Sequence, residues 1–138
     1  MNVSKFKVLL VEDSKFLRVA TERALCNAGF GVCAAEDGAE ALRLANAEHP
    51  DIILLDMMLP KISGPDVLKA LKEAPATREI PVIVLSSLSQ KNEEKLVSEG
   101  AAAYFEKSTL QLGKSSDRLV AVIRTVLGRT RTASKSNT

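Results

Sequence analysis

Ile52-Ile53-Leu54-Leu55-Asp56-Met57-Met58-Leu59-Pro60 lies near the middle of a chain of 138 residues. Its first four residues are apolar, with no polar residue between them, and the run ends in a carboxylate. A short apolar run without alternation is the pattern of a strand covered on both faces. Val8-Leu9-Leu10-Val11 and Val82-Ile83-Val84-Leu85 repeat it. Weaker strands are expected at Gly31–Ala35 and at 102–105. Helical periods lie between the runs. Leu17, Ala20, Thr21, Ala24, Leu25 and Ala28 form one, stopped by Gly29. Ala41, Leu42 and Ala45 follow an Asp37/Glu40 pair that resembles a capping box. Val67, Leu68 and Leu71 follow Pro65, which suits a first helical turn. Leu119, Val120, Ile123, Val126 and Leu127 form the stripe of a last helix. The segment 90–99 is the poorest helix, with only Leu96 and Val97 to anchor it. This β-α alternation predicts an α/β fold, a parallel sheet with helices on both faces.

One domain is expected. The chain is 46% hydrophobic and 26% charged, the balance of a globular protein. A chain of this size buries roughly two-thirds of its unfolded surface and needs neither metal nor disulfide to fold. Lys and Arg number 19 against 17 Asp and Glu, too small an excess to argue for nucleic acid. Much of that excess falls near the C-terminus, at Arg124, Arg129, Arg131 and Lys135, and reads as a solvated tail. Cys26 and Cys33 lack metal-ligand spacing and read as buried free thiols. No signal-peptide core opens the chain and no apolar run is long enough for a membrane span, so a cytoplasmic protein is expected.

In sheets of this kind ligands gather beyond the carboxyl ends of the strands. The residues there are Glu12-Asp13, Asp56, Ser86-Ser87 and Tyr104-Phe105-Glu106-Lys107. Three carboxylates at close range repel one another unless a cation intervenes. Mg²⁺ accepts a few carboxylate oxygens, keeps several waters and bridges to phosphate. Taken alone, Asp13 or Ser14 could simply cap the first helix; Asp56 at a second strand end favours the metal. A carboxylate can attack phosphorus and form an aspartyl phosphate. Lys107 can neutralise the added oxygens as a point charge, and the Ser86 hydroxyl can donate to another. No G-x-x-x-x-G-K-[ST] loop is present to bind ATP. His49, the only histidine, precedes Pro50 in an apparent loop and reads as a solvated surface residue. The phosphoryl group must therefore come from a partner or a small donor.

These strand ends resemble the response-regulator receiver domain, the CheY-like module of two-component signalling. The resemblance covers nearly the whole chain and rests on Val11-Glu12-Asp13-Ser14, on Leu55 to Pro60 with Gly64, on Leu85-Ser86-Ser87 and on Tyr104 to Lys107. It implies a flavodoxin-like, doubly wound, five-stranded parallel sheet of order 2-1-3-4-5. It places a receiver domain at 4–127 and a flexible polar tail at 128–138. Asp56 is then the phospho-acceptor. Glu12, Asp13, Asp56 and the backbone carbonyl of Met58 surround Mg²⁺ or Mn²⁺. Ser86 is the switch hydroxyl, Tyr104 the aromatic that reports the state, and Lys107 the charge partner of the phosphoryl group. Met58 and Leu88 flank that group and lack a function that could orient water, so slow self-dephosphorylation is expected. Ser108 stands where many members carry Pro, often after a cis bond; before a non-proline residue that bond costs about 2.5–4 kcal/mol, which leaves the placement of Lys107 open. The stretch 108–116 is long and polar, so the last helix is expected to start late.

The resemblance implies a signalling switch, not an enzyme beyond its own phosphorylation and dephosphorylation. A sensor histidine kinase or a histidine phosphotransfer protein would supply the phosphoryl group. A downstream protein would read the surface of helix 90–99, strand 102–105 and the last helix; no nucleic acid and no membrane are expected as partners. A stand-alone module is the first reading, since the residues after 127 are too few for an output domain. The alternatives are a phosphorelay intermediate and a receiver excised from a larger sensor kinase or regulator. A phosphatase of the haloacid-dehalogenase kind shares nucleophile and metal, but it usually carries a second Asp two residues on, where this chain has Met58.

Overall fold

The computed structural model describes residues 6–86, 100–106 and 116–136. Among them are strands β1 (Lys7–Val11), β2 (Gly31–Ala35), β3 (Ile52–Asp56), β4 (Val82–Ser86) and β5 (Ala103–Glu106). The helices are α1 (Lys15–Asn27), α2 (Gly38–Glu48), α3 (Gly64–Glu73) and α4 (Ser116–Ser136). All pairings are parallel and the sheet order is β2-β1-β3-β4-β5, as the resemblance implied. The expected helix 90–99, together with Leu88, Lys107 and Ser108, lies outside the described residues.

Each central strand feeds two cores. Leu9 and Val11 of β1, Ile53 and Leu55 of β3, and Val82 and Val84 of β4 pack against α2 and α3 through Ala41, Ala45, Val67, Leu68 and Leu71. The alternate residues Val8, Leu10, Ile52, Leu54, Ile83 and Leu85 pack against α1 and α4 through Leu25, Leu119, Ile123, Val126 and Leu127. This double cover is why the three runs lack polar alternation. Each such side chain contributes about 1.5–3 kcal/mol by leaving water. The two weaker runs became the edge strands β2 and β5, which need an apolar residue at fewer positions.

Local signals set the helix ends. Ser14 caps α1, its hydroxyl accepting from the Leu17 amide at 3.3 Å; Gly29, at φ +99, lets the chain leave that helix. Asp37 caps α2 by accepting from the Glu40 amide at 2.9 Å, and Glu40 reaches back to the Glu36 amide at 3.0 Å. Ser63 caps α3 with Pro65 in its first turn. His49 ends α2 in a left-handed conformation and is exposed.

Three expectations are corrected. The tail expected from Gly128 is helical, for α4 runs unbroken to Ser136. One exposed glycine costs a helix only about 1 kcal/mol. Arg124 is no part of a solvated tail: its Nη2 donates to the Ala28 carbonyl at 3.2 Å and its guanidinium lies 5.9 Å from the centroid of the Phe30 ring. Cys26 is exposed and Cys33 half-buried; both are free thiols. Among the described residues no helix is long and apolar enough to cross a membrane.

Candidate functional site

The ends of β1 and β3 build the site by strand register. Val11 pairs with Leu55, so Glu12 and Asp56 are the next neighbours beyond the ladder. Val8 and Leu10, like Ile52 and Leu54, face the α1/α4 core; Glu12 and Asp56 continue those two rows. Both are buried, at 2% and 0% exposure. Asp13, one residue on, is exposed. One oxygen from each of Glu12, Asp13 and Asp56 lies within 4.8 Å of the others. The three carboxylates that the sequence placed at strand ends are therefore brought together.

Backbone amides fix two of them. The Met58 amide donates to Asp56 Oδ1 at 3.0 Å, and the Ser14 amide donates to Glu12 Oε2 at 3.0 Å. Ser14 therefore does two things: its hydroxyl caps α1 and its amide aims an acid. A helix cap at Ser14 and the carboxylate cluster at Asp13 are compatible, since they occupy adjacent residues. The donor set suits a hard divalent cation. Three carboxylates supply oxygen ligands, and the exposed Asp13 leaves a side open to waters or phosphate.

The loop after Asp56 is held by a close approach. A Cβ on Gly64 would lie 2.5 Å from the Met57 Cα and 2.7 Å from the Asp56 carbonyl oxygen. The start of α3 can therefore rest on the backbone beneath the Asp56 carboxylate only with glycine there. Met58 then stands 59% exposed beside Asp56.

Ser86 ends β4 fully buried. Val82 and Val84 face α2 and α3, and Ser86 continues that row. Val84 pairs with Tyr104, and Tyr104 packs half-buried against the same core. Ser86 and Tyr104 thus share one sheet face at its carboxyl edge, opposite the row that carries Asp56.

A family model described as the response regulator receiver domain matches residues 8–121. The chain belongs to that family. Receiver domains are signalling modules of two-component systems, and the fold agrees. The chain is similar to the polar-differentiation response regulator DivK of Brucella ovis, with 37% identity over 88% of this chain and 95% of that protein. It is also similar to a probable transcriptional regulator, ycf27, of Porphyridium aerugineum: 35% identity over 98% of this chain but 53% of that longer protein. Among solved structures, the receiver domain of a Luxo repressor protein from Vibrio parahaemolyticus superposes with a TM-score of 0.84 at 26% identity, covering 98% of this chain and 99% of that one. Vibrio cholerae CheY4 gives 0.79 at 26% identity, covering 89% and 99%.

Sequence reasoning about this receiver missed one surface. Phe16 is 80% exposed and Val19 40% exposed on the outer face of α1. With Lys15, Ala20 and Arg23 they line a shallow apolar groove that begins at the first residue of α1, close after Asp13 in the chain. The available signal was a phenylalanine off the core-facing stripe. The same stripe had included Ala20, which is exposed.

Proposed function

We propose that this receiver is a phosphorylation switch whose acceptor is Asp56. The observation that carries the reading is the buried Asp56 carboxylate, aimed by the Met58 amide and joined within 4.8 Å by oxygens of Glu12 and Asp13. A carboxylate oxygen of Asp56 forms a bond to phosphorus; the P–N bond of a phosphohistidine donor breaks and the leaving imidazole takes a proton. The chain supplies positioning for this transfer and no general base. Glu12, Asp13 and Asp56, with the Met58 carbonyl, would hold Mg²⁺ or Mn²⁺, which when bound offsets the charge of the phosphoryl oxygens. Lys107 is assigned the remaining charge and Ser86 one hydrogen bond, with Tyr104 following Ser86 on their shared face.

The donor is a histidine kinase or a histidine phosphotransfer protein. Its histidine must come within bonding distance of Asp56, so its flank rests on the first turns of α1. Phe16 and Val19 offer that flank apolar contact, and Lys15 and Arg23 favour an acidic rim. A relay role, in which the phosphoryl group passes on to another histidine, shares every one of these features and differs in kinetics.

The test is incubation with acetyl phosphate and Mg²⁺, read by intact mass. A single phosphoryl adduct is expected in the parent chain, none in Asp56→Asn and none after chelation of the metal. An adduct of equal yield in Asp56→Asn would overturn the assignment.

A further inference from the structure

We infer that Arg18 is a positioning residue that holds the acidic loop in the form that takes up the divalent cation. The inference rests on the metal reading given above. Arg18 is the fourth residue of α1, at the end of its first turn, and is half-buried. Helical side chains lean toward the N-terminus, and this one reaches back past the cap. Its Nη1 donates to the Glu12 carbonyl at 2.9 Å and, in a longer contact, to the Asp13 carbonyl at 3.5 Å. The Glu12 amide donates to the Ala35 carbonyl at 3.0 Å, and Glu12 Oε2 accepts from the Ser14 amide at 3.0 Å. Arg18 thus completes the fixation of Glu12, whose amide, carbonyl and carboxylate are all held. It also tethers Asp13, the exposed member of the cluster.

The placement runs against the usual pattern. Cations are disfavoured near a helix N-terminus, yet the first turn of α1 carries no acidic residue, and Lys15 opens it while Arg18 closes it. The two carbonyls and the acid cluster compensate for that position. A charge-assisted bond to a carbonyl is also stronger than a neutral one.

Two effects of Arg18 on cation binding have opposite signs, which makes the inference testable. As a positive charge alone it repels Mg²⁺, so its removal would tighten binding. As a clamp it preorganises Glu12 and Asp13, so its removal weakens binding. The experiment titrates Mg²⁺ into the full chain, following backbone amide shifts by NMR, together with amide exchange at Ser14 in the metal-free protein. Arg18→Met is expected to bind Mg²⁺ on the order of tenfold more weakly and to exchange the Ser14 amide faster. Arg18→Lys, which keeps the charge but offers a single point donor, should fall between Arg18→Met and the parent. Unchanged or tighter binding in Arg18→Met, in a chain whose urea midpoint shows it folded, overturns the inference. If Arg18→Met does not fold, Arg18→Lys decides, and parent-like affinity there overturns it equally. Asp13→Asn separates the two levels. Its loss of the Mg²⁺-dependent shifts upholds the metal reading, so a negative Arg18 result then removes the clamp alone. Retention of the shifts in Asp13→Asn removes both.

Discussion

Met58 gives its amide to Asp56 Oδ1 and turns its side chain to solvent. A thioether there can neither donate to nor orient an attacking water. Met58→Asn places an amide beside the phosphoryl group and should speed its loss by about tenfold or more, since positioning a water is worth at least that. The decay of radiolabelled aspartyl phosphate checks it, and an unchanged rate would count against the role of this side chain. Gly64 acts on the same loop from below. In Gly64→Ala the new methyl would meet the Met57 Cα and the Asp56 carbonyl, and backbone cannot yield as a side-chain tip does. We expect a loss of about 1–3 kcal/mol in urea unfolding, with slower phosphorylation. Met58 lies in the stretch that named the site, and Gly64 just beyond it. Their roles were legible only in part: the sequence placed Met58 two residues from Asp56, but not the contact that makes Gly64 irreplaceable.

The edge strands β2 and β5 show how far periodicity reaches among the elements. β2 was legible to the residue, while β5 begins and ends one residue later than expected. The last helix was expected to start late and starts at Ser116, but its C-terminal extent was missed because a basic, polar end was read as a solvated tail. Arg124 was missed because its partners, Ala28 and Phe30, are far away in sequence. Through them it ties α4 to the exit of α1. Arg124→Ala should lower stability by about 1 kcal/mol, measured as the urea midpoint, and leave phosphorylation intact. A variant as stable as the parent would show the tie to be inconsequential.

On the proposed reading the whole molecule separates two working surfaces around one site: the outer side of α1 would receive the donor, and a face that includes β5 and α4 would carry the output. On the second of these Tyr104, Ala121, Val122 and Thr125 line a groove of about 410 Å³. Tyr104 lines this groove from β5 and shares its sheet face with Ser86. Phe16→Ser should slow transfer from a phosphohistidine donor while leaving acetyl phosphate labelling unchanged; equal slowing with both donors would place Phe16 in the site itself. Ser86→Ala should still accept the phosphoryl group and yet lose the dependence of partner capture on beryllofluoride. Retained dependence would remove Ser86 from the switch.

The sequence by itself determined the central strands, the β-α alternation and the residues waiting at each strand end, because these follow from short-range periodicity and from the abrupt stop of an apolar run. The joining of Glu12, Asp13 and Asp56 was anticipated from the logic of a parallel sheet; register then supplied the distances. Only the tertiary structure decided which core each row of side chains serves, that Arg18 clamps the acidic loop, that Arg124 binds the end of α1, and that Phe16 faces outward. Those facts depend on where helices cross the sheet and each other. No local pattern encodes such crossings, because they are set by the packing of residues distant in the chain.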